Sequence, residues 1–334
     1  MVGLGSVPAL IQLVIILFLP ETPRWLVKAN EVDSARHILR KVYGHEEDSK
    51  LVVERIIRGI KSEIHEEEET HKPDASSGVT ESLPQNWASL LQVDYNRRAL
   101  TIACMLQGLQ QLTGFNSLMY YSATLFSMLS FSSPTSTALS VAVTNFFFTL
   151  LAFVLVDRVG RRRIILYSIP IMTAALLLCA LSFSTLDLNL SMNTGDDPNG
   201  KESSSSGPLL IVLALTIYTA SYACGIGTIP WQQSELFPLG VRSLGSALAT
   251  ATNWTSNFVI GLTFLPLMEW ISPGWTFVLY AIVCGAGWVA VWWIYPEMSG
   301  LGLEDVRGLL AEGWGVRESL RRFEMSKGAA LREQ

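Results

Sequence analysis

Seven stretches of this chain are apolar over lengths that approach or exceed what a bilayer crossing needs: approximately 2–19, 99–129, 137–156, 164–185, 208–234, 244–268 and 275–295. A spanning helix takes about 20 predominantly apolar residues. Inside hydrocarbon the backbone must satisfy its own hydrogen bonds, which leaves helices for runs of this length. The sequence therefore predicts an all-α membrane protein with about seven transmembrane helices. Composition agrees, because only 16% of residues are charged and mean hydropathy is +0.34, against about 25% charge in soluble chains. The first run begins at Met1, so a cleaved signal peptide is the rival reading. It lacks a basic leading region and a small-residue cleavage site, and Pro20-Glu21-Thr22-Pro23-Arg24 follows it at once.

Four domains are expected: a helix over 1–19, a linker with short helices over 20–98, a six-helix bundle over 99–295 and a tail over 296–334. Within the linker, Asn30 is placed to cap an amphipathic helix over 31–43 that Gly44 would end. The acidic run 46–72 reads as a solvated loop, and Pro73 to Pro84 as a flexible linker. Of the 24 Lys and Arg residues, all but Lys201 fall in alternate connections. Basic residues mark cytoplasmic loops, so 20–98, 157–163, 235–243 and the C-terminal tail are expected inside. The connections near 130–136, 186–207 and 269–274 are expected outside, and Asn189-Leu190-Ser191 is a glycosylation sequon on that side. Seven spans then put Met1 outside, which suggests that helices precede it in a complete protein.

The charge balance of −5 gives no footprint for nucleic acid. Cys104, Cys179, Cys224 and Cys284 sit in separate apolar runs and read as buried free thiols. His37, His45, His65 and His71 all lie in the charged linker. No metal site, cofactor site or nucleophile–base pair assembles from these residues, so an enzyme is not expected. The bilayer and a small solute are the expected partners.

Polar side chains inside the apolar runs carry the functional signal, because they are costly in hydrocarbon and tend to face a bundle interior or a watery cavity. QGLQQLTGFNSLMYY (107–121) places Gln107, Gln110, Gln111, Gly114 and Tyr121 within roughly 60° of one direction on an ideal helix. Asn116 and Tyr120 point the opposite way. A break near Gly114 would bring both sets to one cavity, as in the discontinuous helices of secondary transporters. Amides offer a donor and an acceptor each and suit a neutral polyhydroxylated ligand. Bonding between packed helices is the alternative use. YACGIGTIPWQQSELFP (222–238) repeats the theme: Gly225, Gly227 and Pro230 loosen a helix just before Trp231 and Gln232-Gln233. Asn253 and Asn257 share a face around Trp254, and Asn145 stands alone in its run. At the expected cytoplasmic edge, Glu21, Asp157, Arg161, Arg162, Glu235 and Arg242 could form salt bridges between helix ends, or could be topological and solvated charges.

Taken in order, PETPRWL (20–26), QQLTGFNSLMYY, DRVGRRR (157–163), GIGTIPWQQSELFP and PEMSGLGLEDV (296–306) resemble the five motifs of the sugar porter branch of the major facilitator superfamily. The pattern is most similar to the fungal proton-coupled myo-inositol transporters. The resemblance implies the carboxy-terminal six-helix bundle of that fold preceded by a helix like the family's sixth. It implies substrate contact at Gln107, Gln110, Gln111, Asn116, Asn145, Trp231 and Asn253. Gating would fall to Tyr120, Tyr121, Gly114 and Pro230, and a cytoplasmic charge network to Glu21, Asp157, Arg161, Arg162, Glu235 and Arg242. The implied function is transport of myo-inositol or a related polyol or monosaccharide by alternating access, as proton symport, in the plasma membrane. A hexose transporter, and a non-transporting paralogue or nutrient sensor, are the alternatives. Met298-Ser299 stands where the family has Thr-Lys, and Ile226 and Thr228 replace prolines. The family's first-helix carboxylate for proton coupling and its amino-terminal partner bundle have no counterpart in these residues.

Overall fold

A computed structural model describes residues 2–44, 47–70, 82–128, 134–192, 206–299 and 303–330. Among the described residues the chain is helical with no β-strand, and it divides into two compact units, Met1–Ser82 and Leu83–Gln334.

The first unit holds α1 (Val2–Phe18), α2 (Pro23–Lys28), α3 (Val32–Tyr43) and α4 (Glu47–Thr70). Thr22 caps α2 through its hydroxyl, which accepts from Trp25 N, and Pro23 opens the helix. Asn30 does not cap α3. It takes a left-handed conformation (φ 66°) in the turn after α2, and Glu31 occupies the cap position. Gly44 ends α3 at φ 92°. The acidic run is a helix, not the solvated loop expected from its composition. Val53, Ile57, Ile60 and Ile64 recur at spacings of four, three and four, and this stripe packs against Leu26, Val27, Ala35 and Leu39. Arg36 clasps α4 to α3 through Glu54 at 2.6 Å.

The second unit contains α5 (Ser82–Gln92), α6 (Asp94–Leu112), α7 (Phe115–Met128), α8 (Pro134–Val159), α9 (Arg161–Met192) and α10 (Ser206–Cys224). After α10 come a 3₁₀ segment (Ile229–Leu236), α11 (Leu239–Trp270), α12 (Pro273–Ile294), α13 (Leu303–Glu312) and α14 (Val316–Ala330). α9 is sandwiched between α10 and α12, α6 lies along α11, and α8 packs on α7 and α10. The core between them is apolar, built on Ile102, Phe126, Ile165, Ile169, Met172, Ile211, Leu215 and Phe264. α13 packs against α6, where Arg98 donates to the Leu310 and Ala311 carbonyls that end α13. Residues 83–98 and 303–330 therefore belong to the same compact unit as the bundle.

Four segments are long and apolar enough to cross a membrane by length and composition: Thr137–Val156, Arg161–Thr185, Gly207–Leu236 and Pro273–Ile294. The other three expected spans fall short for visible reasons. α1 has 17 residues, the 99–129 run is divided between α6 and α7, and α11 is diluted by Asn253, Thr255, Ser256 and Asn257. Only 17% of the Thr137–Val156 window is buried, with Phe146, Phe147, Leu150 and Phe153 turned outward. A soluble domain would not leave such a surface in water. The connection 186–207, expected outside, begins as helix, since α9 runs to Met192; residues 193–205, 129–133 and the linker 71–81 lie outside the described residues. Cys179 and Cys284 are buried free thiols as expected, whereas Cys104 and Cys224 are half-buried.

Candidate functional site

The helix carrying the polar run does break at its glycine. α6 ends at Leu112, Gly114 adopts φ +89°, and α7 begins at Phe115. That torsion is open to glycine at little cost. A Cβ there would also meet the Tyr280 ring at 3.0 Å. Tyr218 donates to the Thr113 carbonyl at 2.9 Å, and the Thr113 hydroxyl donates to the Gln110 carbonyl at 3.1 Å, so the break is bonded in place.

Across it the amides meet. Asn116 Nδ2 donates to Gln111 Oε1 at 2.6 Å and to Asn257 Oδ1 at 3.2 Å. Gln111 Nε2 donates to Asn253 Oδ1 at 3.0 Å. Asn253 Nδ2 in turn faces Gln107 Oε1 at 2.6 Å, Gln110 Oε1 at 2.8 Å and the Gln107 carbonyl at 3.2 Å. One α11 amide thus ties together all three α6 glutamines, sharing two hydrogens among three acceptors. Gln107, Gln110 and Gln111 are buried, and burial demands such partners.

The second broken helix supplies the other side of the cluster. α10 stops at Cys224, and the 225–228 turn and the 3₁₀ segment free carbonyls that a continuous helix would consume. Gln110 Nε2 donates to the Gly227 carbonyl at 2.8 Å, and Gln107 Nε2 to the Pro230 carbonyl at 2.9 Å. The Trp231 indole N–H donates to that same Gly227 carbonyl at 3.1 Å, while its ring is 75% exposed. Gln233 accepts from Gln107 at 2.9 Å and donates to Thr250 Oγ1 at 3.0 Å.

Of the substrate-contact candidates, Gln107, Gln110, Gln111, Asn116 and Asn253 form one network, with Trp231 anchored at its margin. Asn145 is not brought into it: α8 packs on α7, α9 and α10, and the Asn145 side chain makes none of these bonds among the described residues. Tyr121 is half-buried, donates to the Gly261 carbonyl at 3.2 Å and stacks on Phe264. Tyr120 is 61% exposed, with Asn257 Nδ2 at 3.5 Å from its hydroxyl. Gln233, Asn257 and Thr250 are members that the sequence reading left out of the site. The i, i+4 spacing of Asn253 and Asn257 was the available signal for the second of them.

The charge network comes together in part. Arg161 pairs with Glu235. Arg162 makes no such pair among the described residues: its guanidinium donates to the Tyr295 carbonyl at 2.7 Å and the Trp292 carbonyl at 2.6 Å. Arg242 donates to the Phe237 carbonyl at 3.2 Å. Glu21 belongs to the first unit, and the Asp157 side chain lies outside the described residues. The carboxylate that organises this edge is Glu297, fully buried and absent from the expected set. It accepts from the backbone N–H groups of Arg161 (2.9 Å), Arg162 (3.1 Å), Met298 (3.1 Å) and Ser299 (3.2 Å), capping the start of α9. No cluster of three or more metal-ligating side chains occurs among the described residues.

Two helices broken at mid-length turn amides and freed carbonyls toward each other, an arrangement like the discontinuous helices that line solute sites in secondary transporters. Residues 1–310 match the family described as sugar (and other) transporter. The chain is 43% identical over 333 residues to the myo-inositol transporter 1 of Cryptococcus neoformans var. grubii, covering 99% of this chain and 57% of that protein. It is 38% identical to the myo-inositol transporter 2 of Schizosaccharomyces pombe, covering 96% and 55%. Its fold is similar to that of XylE, a major facilitator superfamily proton:xylose symporter, with a TM-score of 0.69 at 23% identity over 92% of this chain and 57% of that one. The chain belongs to the sugar (and other) transporter family; it is an integral, multi-pass membrane protein of the major facilitator superfamily fold, not an enzyme. It spans little more than half the length of the curated relatives it matches.

Proposed function

We propose that this chain forms one wall of the solute site of a myo-inositol transporter that works by alternating access and proton symport. The observation that carries the reading is the Asn253-centred amide cluster, which joins three buried glutamines and Asn116 without a charged group. A cyclic polyol offers hydroxyls that each donate and accept, and amides held at fixed positions can exchange their mutual bonds for bonds to it. The exposed Trp231 ring beside the cluster suits the apolar face of such a ring. The names of the relatives favour myo-inositol over hexoses. The facing wall would come from the part of the family fold outside this alignment, together with the carboxylate for proton coupling. The basic-residue pattern supports an orientation with the 20–98 segment and the tail inside, and plasma-membrane residence rests on the resemblance to the sugar porters alone.

Uptake of labelled myo-inositol into transport-null cells tests this, with the chain expressed alone and together with the amino-terminal half of the Cryptococcus relative. Saturable uptake that excess unlabelled myo-inositol suppresses more strongly than glucose, and that a protonophore abolishes, is expected with the half supplied. Uptake of glucose in preference overturns the substrate. No uptake in either arm, with both halves present in the membrane, favours a non-transporting protein.

A further inference from the structure

Where α12 ends and α13 turns into α14, the structure contains a cavity of about 510 Å³ lined by Trp293, Glu312, Trp314, Arg317, Glu318 and Arg322, among others. It lies far along the chain from the amide cluster. Its depth is set by Trp293, in the last turn of a membrane helix and 68% exposed, beside Trp292 at 53%. Exposed indoles at the end of a span sit at headgroup level. The cavity therefore opens where lipid headgroups are the most concentrated ligand.

Its lining combines two guanidiniums, two carboxylates and two indoles. A purely anionic headgroup would meet the arginines but be repelled by the glutamates. A headgroup carrying both a phosphate and an ammonium satisfies both signs. Arg322 and Glu318 are paired at 3.0 Å on one face of α14, which holds Arg322 in position. Arg317 and Glu312 are exposed, and neither makes an ion pair within the second unit among the described residues. We infer that this cavity binds an ethanolamine phospholipid of the leaflet that meets the end of α12. Arg317 and Arg322 would hold the phosphate, and the ammonium would lie at Glu312 with an indole face completing its surroundings. The bound lipid would pin the α13–α14 corner to the end of α12.

The test is thermal unfolding of the full chain, purified in detergent, with phosphatidylethanolamine, phosphatidylcholine or phosphatidylglycerol added at equal mole fraction. The expected result is an upward shift of several degrees with the ethanolamine lipid that clearly exceeds the other two. Arg317→Gln should remove that excess, Glu312→Gln should move the preference toward phosphatidylglycerol, and Arg321→Gln, on α14 but outside the lining, should keep it. Both pocket variants must melt like the parent without lipid; if Arg317→Gln does not, the Glu312→Gln reversal decides. Equal shifts with the three lipids, or an unchanged preference in the pocket variants, would overturn the proposal. A full shift with soluble glycerophosphoethanolamine would overturn the lipid as its source.

Discussion

Asn116 donates to Gln111 at 2.6 Å across the break at Gly114, so two side chains that a straight helix would aim in opposite directions share one hydrogen bond. The bond exists because Gly114 holds φ +89°. Gly114→Ala adds the cost of a left-handed torsion and a contact at 3.0 Å with the Tyr280 ring. A loss of about 1–3 kcal/mol is expected, read as a lower melting temperature of the purified chain. Myo-inositol uptake should fall with it, because Asn116 can no longer reach Gln111.

Glu297 and Glu235 separate two kinds of carboxylate at the same edge. Glu297→Ala strips the acceptor from four backbone N–H groups in a buried place, so thermal unfolding should show a loss of about 1–3 kcal/mol or more. Glu235 is half-exposed where it pairs with Arg161, whose side chain is 14% exposed, so Glu235→Ala should cost about 1 kcal/mol in the same assay. If Glu235 matters, it should appear in transport rate and not in stability.

The clasp between α3 and α4 gives a pH dependence. Hydrogen bonding to Arg36 holds the pKa of Glu54 below the ordinary glutamate range, against a smaller opposing effect of burial. A depressed folded-state value means the pair's contribution is present above the unfolded value, about pH 4.3, and is lost as pH falls through the folded one. Hydrogen exchange of α4 amides should accelerate over that acid window, and Glu54→Gln should flatten the dependence. The contact is half-exposed, so added salt should shrink the effect.

Much of the site was legible because its signals are local. Four amides within ten residues cannot all face lipid, and a glycine between two opposed faces marks where the helix must bend. Gly225, Gly227 and Pro230 announce the second break in the same way. α4 was hidden because glutamates dominate its composition, although Val53, Ile57, Ile60 and Ile64 carry a helical stripe beneath them. Glu297 could not be distinguished in sequence from a boundary charge. Its role depends on the start of α9, more than 130 residues earlier in the chain, meeting the end of α12. Asn145 stands outside the amide network, and an isolated polar residue in an apolar run carries no signal of which neighbour it faces.

Asn253 concentrates the central claim, since it bonds to Gln107, Gln110 and Gln111 at once. The direct measurement is the concentration dependence of myo-inositol uptake by Asn253→Ala beside the parent, each expressed with the amino-terminal half of the Cryptococcus relative and matched for membrane abundance. Losing bonds worth about 1.4 kcal/mol or more corresponds to at least a tenfold change, so the half-saturating concentration should rise about tenfold or further. An unchanged half-saturating concentration would contradict the account and leave the amide cluster as helix-to-helix bonding alone.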